Sequence, residues 1–161
     1  MSGTAKPPPY LRMRRRLGAP VEAPAWPDDV RLKAFTQWRA ADAHALMELA
    51  YAVGGGSVPA FAQWWGHLSQ DGEYDPALCF LVCDADQETI AFAQCWTSAF
   101  VKDFVIHPHH RRRGIGQALL LHIFGIFQAR GAQAVDLKVL VDNPSGAIPF
   151  YESQGMDCIQ D

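Results

Sequence analysis

Read from its amino end, the chain changes character at about residue 30. Before that point prolines and arginines break any apolar period, with Pro7–Pro9, Pro20, Pro24 and Pro27. Residues 1–29 read as a Pro/Arg-rich arm or linker, in which YLRMRRRL (10–17) could make a short strand. Residues 30–161 carry the pattern of one domain. RLKAFTQW (31–38) alternates enough for a strand. A helix follows at about 40–52, with Leu46, Leu49, Ala50 and Val53 spaced as its buried stripe, and a run of glycines from Gly54 stops it. A second helix over 58–69 repeats the spacing with Phe61, Trp64, Trp65 and Leu68. LCFLVCD (78–84), TIAFAQCW (89–96) and AFVKDFVIH (99–107) are strands, divided by the DADQE turn and a tight turn near Thr97-Ser98. Pro108 ends the third of these because it has no N–H for the ladder. A helix from about Gly114 to Arg130 closes at Gly131. Its apolar face (Ile115, Leu119, Leu120, Ile123, Phe124 and Phe127) is so broad that it must be covered almost all round. AVDLKVLVD (134–142) is a strand after a helix, so it should run parallel to 99–107 through a right-handed crossover. Residues 144–155 read as a short helix in which Pro149 removes a bond, and MDCIQD as a short last strand. The predicted order is β-α-α-β-β-β-α-β-α-β, with no internal repeat.

Composition narrows the class. About half of the 161 residues are apolar, enough for a core. No apolar run reaches the ~18 residues of a membrane span, and no apolar signal core follows the basic residues near the start. These features predict a cytoplasmic protein with no membrane partner. The net charge of −3 does not call for nucleic acid. The four cysteines (Cys79, Cys83, Cys95, Cys158) show no metal-ligand spacing, and three lie in strand-like runs, which points to buried, reduced thiols.

The basic residues cluster, and the segment HPHHRRRGIGQALLLHIFG (107–125) is the chemically informative one. A strand, a glycine-containing turn and a helix form a geometry for holding phosphate. The first N–H groups of a helix lack internal partners, and the helix dipole places partial positive charge there. Gly114 and Gly116 carry no Cβ, so a pyrophosphate could sit on the backbone amides of Arg111 to Gly116, Ile115 included, with Arg111, Arg112 and Arg113 adding charge-assisted bonds. A solvated face or a nucleic-acid patch would also accept such an arginine run. The pattern is not G-x-G-x-x-G, which disfavours a dinucleotide fold. His107, His109 and His110 lie too close together for one tetrahedral metal site, so no metal is expected.

The segment from Val101 to Phe124 resembles the acyl-CoA-binding block of the GNAT superfamily of N-acetyltransferases. That block is a strand ending in V-x-P followed by R/Q-x-x-G-x-G/A. Here it reads Ile106-His107-Pro108, then Arg111-Arg112-Arg113-Gly114-Ile115-Gly116. A second block, N-x-x-A-x-x-x-Y-x-x-x-G-F, is matched by Ala147, Tyr151 and Gly155, with Met156 in place of the closing Phe and Asn143 one residue further from Ala147 than the pattern has it. The blocks lie in the family's order, 27 residues apart from Gly116 to Asn143.

The resemblance implies an α/β (α+β) domain. Its mixed, mostly antiparallel central sheet would carry helices on both faces and splay between the parallel strands 99–107 and 134–142. It implies acetyl-CoA as cosubstrate and direct transfer of the acetyl group to a primary amine of a small-molecule or peptide acceptor. The pantetheine arm would bond the main chain of Phe104, Val105 and Ile106, and a strand N–H such as that of Val105 would polarise the thioester carbonyl. Tyr151 takes the family's general-acid position, or else is a packing aromatic. Asn143 would bond the pantetheine arm or cap the following helix, with Pro144 at its first position. The attacking amine must be neutral, and Asp103 is the candidate base, with Glu73 and Asp75 as others. The Gly54–Ser57 stretch would wall the acceptor site, which Trp64, Trp65 and Trp96 could line.

The chain departs from the family at its end. One short strand follows Gly155 where two are usual. Tyr10–Leu17 is therefore expected to supply the missing edge strand, within its own domain or swapped into a neighbour as a homodimer. Two other functions stay open: a non-catalytic acyl-CoA-binding module, and nucleic-acid binding through the basic arm, the less favoured of the two.

Overall fold

The computed structural model describes residues 10–54, 57–141 and 146–160. Among these, seven strands form one sheet. They are β1 (Tyr10–Arg16), β2 (Arg31–Ala34), β3 (Cys79–Cys83), β4 (Thr89–Trp96), β5 (Phe100–Ile106), β6 (Ala134–Leu140) and β7 (Asp157–Ile159). The spatial order is β2-β3-β4-β5-β6-β1-β7. All neighbours are antiparallel except β5 and β6. Four α-helices cover the sheet: α1 (Ala40–Gly54), α2 (Phe61–Gln70), α3 (Ile115–Ala129) and α4 (Ala147–Ser153). Two apolar clusters result, one built mainly on α3 and the other on α1 and α2.

The parallel pair is the feature that makes the site. β5 and β6 pair only through Phe100–Asp136 and Val101–Leu137. Beyond these rungs the strands diverge, while β5 stays laddered to β4 as far as Ile106. The β4–β5 register shifts between Gln94 and Cys95, so that Lys102 is the extra residue of a bulge.

The sequence suggested an edge position for Tyr10–Leu17, but the strand it forms lies inside the sheet. β1 lies between β6 and β7 and pairs with both inside its own chain. Met13 is fully buried there. The segment after β1 then crosses α3. Gln128 donates to the carbonyls of Leu17 and Ala19 and accepts from the Val21 N–H, and Trp26 packs edge-on to His122. This crossing, together with the sheet, covers the broad apolar face of α3.

Two local readings also change. Leu49 and Val53 are 44% and 59% exposed, and the inward face of α1 is Ala40, Ala43, His44, Leu46, Met47 and Ala50. The helix is apolar on both faces, so spacing alone did not tell which one is buried. Pro149 does not interrupt α4, because the helix starts at Ala147 and places it in the first turn, where the missing N–H has no partner to lose. Cys79, Cys83 and Cys95 are buried free thiols, and Cys158 is an exposed one.

Candidate active site

The divergence of β5 and β6 opens a cleft of about 970 Å³. Val101 to Ile106 form one wall and Leu137 to Leu140 the other, with Phe150 and Tyr151 of α4 beside them. At one end lies the turn before α3, contributing His110, Arg111, Arg112, Gly114, Gly116 and Gln117. At the other end stand Ala50 and Tyr51 of α1, the Ser57–Pro59 loop and Trp64 of α2.

The turn is held open by backbone conformation. Pro108–His110 make one 3₁₀ turn, and Arg112 and Gly114 then both adopt left-handed φ, 63° and 82°. Such alternation turns successive N–H groups to one side, a concavity suited to an anion. Gly114 caps α3 with no side-chain acceptor, so the first-turn N–H groups stay available. A Cβ on Gly116 would lie 3.4 Å from the Phe150 ring and 3.7 Å from Ile106. Those are ordinary packing distances, so α4 lies against the turn without requiring the glycine.

The three arginines part company. Arg111 and Arg112 line the cleft. Arg113 turns outward, donating to both carboxylate oxygens of Asp29 and, at 2.9 Å, to His110 Nδ1. It is thus removed from the expected phosphate set and pins the incoming segment to the turn. Ile115 likewise points into the core, leaving only its main chain near the turn.

Strand alternation corrects one backbone assignment. The His107 N–H bonds the Ile90 carbonyl on β4 at 2.8 Å. Residues two apart along a strand point their main-chain groups the same way, so Val105 also turns its N–H to β4. Phe104 and Ile106 are the residues whose main chain faces the opening. Their side chains pack on the α3–α4 side, where Phe104 meets Tyr151 edge-on at 6.2 Å between ring centroids.

Tyr151 is buried, and burial pushes its hydroxyl well above the ordinary phenol range. Asp103, also buried, sits on the α1–α2 side of β5 and accepts a 2.9 Å hydrogen bond from the Tyr51 hydroxyl. Tyr51 is itself raised, first by burial and then by the charge of Asp103. Glu73 and Asp75 are not in the cleft: Glu73 accepts from the Ser98 N–H, and Asp75 caps the turn before β3 and pairs with Arg130. Of the three candidate tryptophans only Trp64 lines the opening. His44 Nε2 donates to the Pro59 carbonyl at 2.7 Å and so props the adjoining loop. Asn143 lies outside the described residues.

Sequence reasoning missed His110, Gln117 and Tyr51. The first two flank the G-x-G turn and could have been found from it. Tyr51 could not, because only packing brings α1 over β5.

A splayed mixed sheet, with an amide-rich turn at one end of the cleft and a buried tyrosine between, is an acyltransferase architecture. A model of the acetyltransferase (GNAT) family matches residues 32–156, and the chain belongs to that family. It is 30% identical over 107 residues to an uncharacterised N-acetyltransferase of Methanocaldococcus jannaschii, covering 60% of this chain and 44% of that protein. It is 33% identical over 55 residues to a glucosamine 6-phosphate N-acetyltransferase of Trypanosoma brucei brucei, 34% and 35% of the two chains. A GCN5-related N-acetyltransferase from Sphaerobacter thermophilus shares the fold with a TM-score of 0.78 at 23% identity, over 93% of this chain and 48% of that one. The chain spans less than half the length of each of these relatives.

Proposed function

We propose that the chain is an acyltransferase that moves an acetyl group from acetyl-CoA directly to a primary amine. The observation that carries this reading is the continuity of one cleft from the turn at 110–116, along the open side of β5, to Tyr151 and Asp103. A ligand with an anionic head, an amide-bearing arm and a reactive end fits that sequence of surfaces.

Arg111, Arg112 and the amides of the turn would hold the diphosphate. The main chain of Phe104 and Ile106, which pairs with none of the described residues on the β6 side, would bond the pantetheine amides as an added strand does. The Phe104 N–H, beside the Tyr151 ring, would stabilise negative charge growing on the thioester oxygen; one such donor contributes about 3–4 kcal/mol. An alkylamine is protonated near neutrality, with a pKa of about 10. Asp103 would take that proton and free the lone pair for attack on the carbonyl carbon. As the C–S bond breaks, Tyr151 would give its proton to the sulfur, while the nitrogen, positively charged since its attack, would lose its second proton to solvent, from which Tyr151 regains its own, leaving free CoA and the acetylated amine. The α1–α2 end, with Tyr51, Pro59 and Trp64, would receive the acceptor.

Calorimetric titration with CoA tests the first half of this reading. Assay of thiol release from acetyl-CoA tests the second, using spermidine, glucosamine 6-phosphate and an alanine-initiated peptide as amines. No heat of binding would remove the acetyl-CoA assignment. Binding without turnover on a broad amine panel would leave a non-catalytic acyl-CoA module.

A further inference from the structure

Asp103 is buried at the cleft floor, and neither sequence block accounts for what surrounds it. Tyr51 on α1 places its hydroxyl 2.9 Å from Oδ1. Both residues line the cleft. Among the described residues Tyr51 is the one side chain that donates to this carboxylate, which leaves Oδ2 to the cleft. On the neighbouring strand Gln94 stands directly opposite Asp103. It is 1% exposed, and its Nε2 has no hydrogen-bond partner. Cys79 continues the same row onto β3. A polar row thus runs beneath the carboxylate in a layer otherwise filled by Leu81, Phe92 and Val105.

Burying a carboxylate is costly without donors, and a donor to its charged form both keeps the charge and fixes the orientation. A buried donor left over on the next strand marks this row as a polar environment kept for the carboxylate rather than a packed floor.

We propose that Tyr51 is a positioning residue: its hydroxyl fixes the Asp103 carboxylate through Oδ1 and turns Oδ2 toward the amine of the acceptor. The inference rests on the amine-transfer reading above. In the step it serves, the ammonium N–H bond breaks and an O–H bond forms at Asp103 Oδ2. The nitrogen keeps the electron pair, and Tyr51 keeps its own proton. The titratable groups whose charge acts with this pair are Cys79 on β3, Cys95 on β4 and Tyr151 on α4, and Lys102, His110, Arg111 and Arg112 line the same cleft. Burial, then the charges of Asp75 and Asp103, push the Cys79 thiol up to about 12. Burial raises Cys95 well above its ordinary value and raises Tyr151 as well.

The test is Tyr51→Phe, which removes one O–H and keeps the ring. CoA affinity should stay within about twofold, because the hydroxyl is remote from the turn at 110–116. For the best of spermidine, glucosamine 6-phosphate and an alanine-initiated peptide, kcat/KM should fall roughly 10–100-fold. The acid limb of its pH profile should move to higher pH, since the ionised carboxylate has lost a donor. In an Asp103→Asn background the same change should cost nothing further, because the Tyr51 hydroxyl acts through Asp103 and the ring that lines the cleft is kept. An unmoved limb, or an equal loss in both backgrounds, overturns the proposal. If CoA binds and no amine is acetylated, the transfer reading fails on its own. Carbon NMR titration of the Asp103 carboxyl then decides the contact: a midpoint raised by Tyr51→Phe supports it, and an unmoved midpoint overturns it.

Discussion

Arg14 and Asp136 stand directly opposite each other in the β1–β6 ladder and are joined by two parallel bonds, Nε to Oδ1 at 2.7 Å and Nη2 to Oδ2 at 2.8 Å. Arg12 adds a third, 2.8 Å to Oδ2. Asp136 is also the residue paired with Phe100 on β5, and its N–H bonds the Ala99 carbonyl. The amino-terminal strand therefore clamps the closed end of the β5–β6 divergence, the point from which the cleft opens.

Replacing Asp136 by Asn should lower stability by about 1–2 kcal/mol at neutral pH, less than a fully buried pair because the arginines stay partly solvated. The effect should depend on pH in a defined direction. Burial pushes the Asp136 carboxyl up, but the bonds and charges of Arg14 and then Arg12 bring it below its usual value overall. A carboxyl lowered by folding contributes fully above its unfolded pKa of about 3.9 and loses that contribution as pH falls through the lower folded value. Melting curves of the two proteins should differ at pH 7 and converge below about pH 4. A constant gap over that range would place the stabilisation elsewhere.

Met13 should behave as a core residue although it lies in a segment of arginines and prolines. It has no exposed surface, and it faces Leu137 on one side and Cys158 on the other. Met13→Ala leaves a cavity at the centre of the β6-β1-β7 region and should cost about 2–5 kcal/mol in urea unfolding. A loss typical of surface positions, below about 0.5 kcal/mol, would show that β1 is dispensable to the sheet.

Local signals explain which parts of this structure could be read from the sequence. β4 is legible to the residue, because turn residues bound an apolar run on both sides. The turn before α3 and the position of Tyr151 are legible for the same reason: each is a short spacing of residue types that a nearby backbone shape demands. What depends on pairing across the chain is not legible. YLRMRRRL reads as a strand, but nothing in it says that it inserts between β6 and β7. The outward turn of Arg113 needs Asp29, 84 residues away. The Tyr51–Asp103 bond joins residues 52 apart through the packing of α1 on the sheet. Periodicity also fails where a helix is apolar on two faces, as α1 is.

The split among the arginines predicts unequal effects on ligand binding. Arg112→Ala should weaken CoA binding about tenfold, the loss of one charge-assisted bond, and should flatten its salt dependence. Arg113→Ala should change the affinity by less than about threefold, since its partners are Asp29 and His110 at the protein surface. Calorimetry at two salt concentrations reads both. Equal losses for the two variants would mean that Arg113 leaves Asp29 for the ligand.

Tyr151 gives a prediction in which burial decides the sign. Desolvation disfavours the phenolate, so the hydroxyl stays protonated to higher pH than an exposed tyrosine. A proton donor of this kind should produce no alkaline limb in kcat/KM below about pH 10. Tyr151→Phe should reduce kcat by about 10²–10⁴-fold while leaving CoA affinity nearly unchanged, because the ring still packs on Phe104 and only the hydroxyl is lost. Burial adds a constraint. A phenol held above its usual range gives up its proton to a free thiolate only uphill, so donation should accompany C–S cleavage rather than follow it. A solvent isotope effect on kcat in the wild-type chain, absent in Tyr151→Phe, is the expected outcome. An isotope effect that persists unchanged in the variant would assign the proton to water and leave Tyr151 as a packing aromatic.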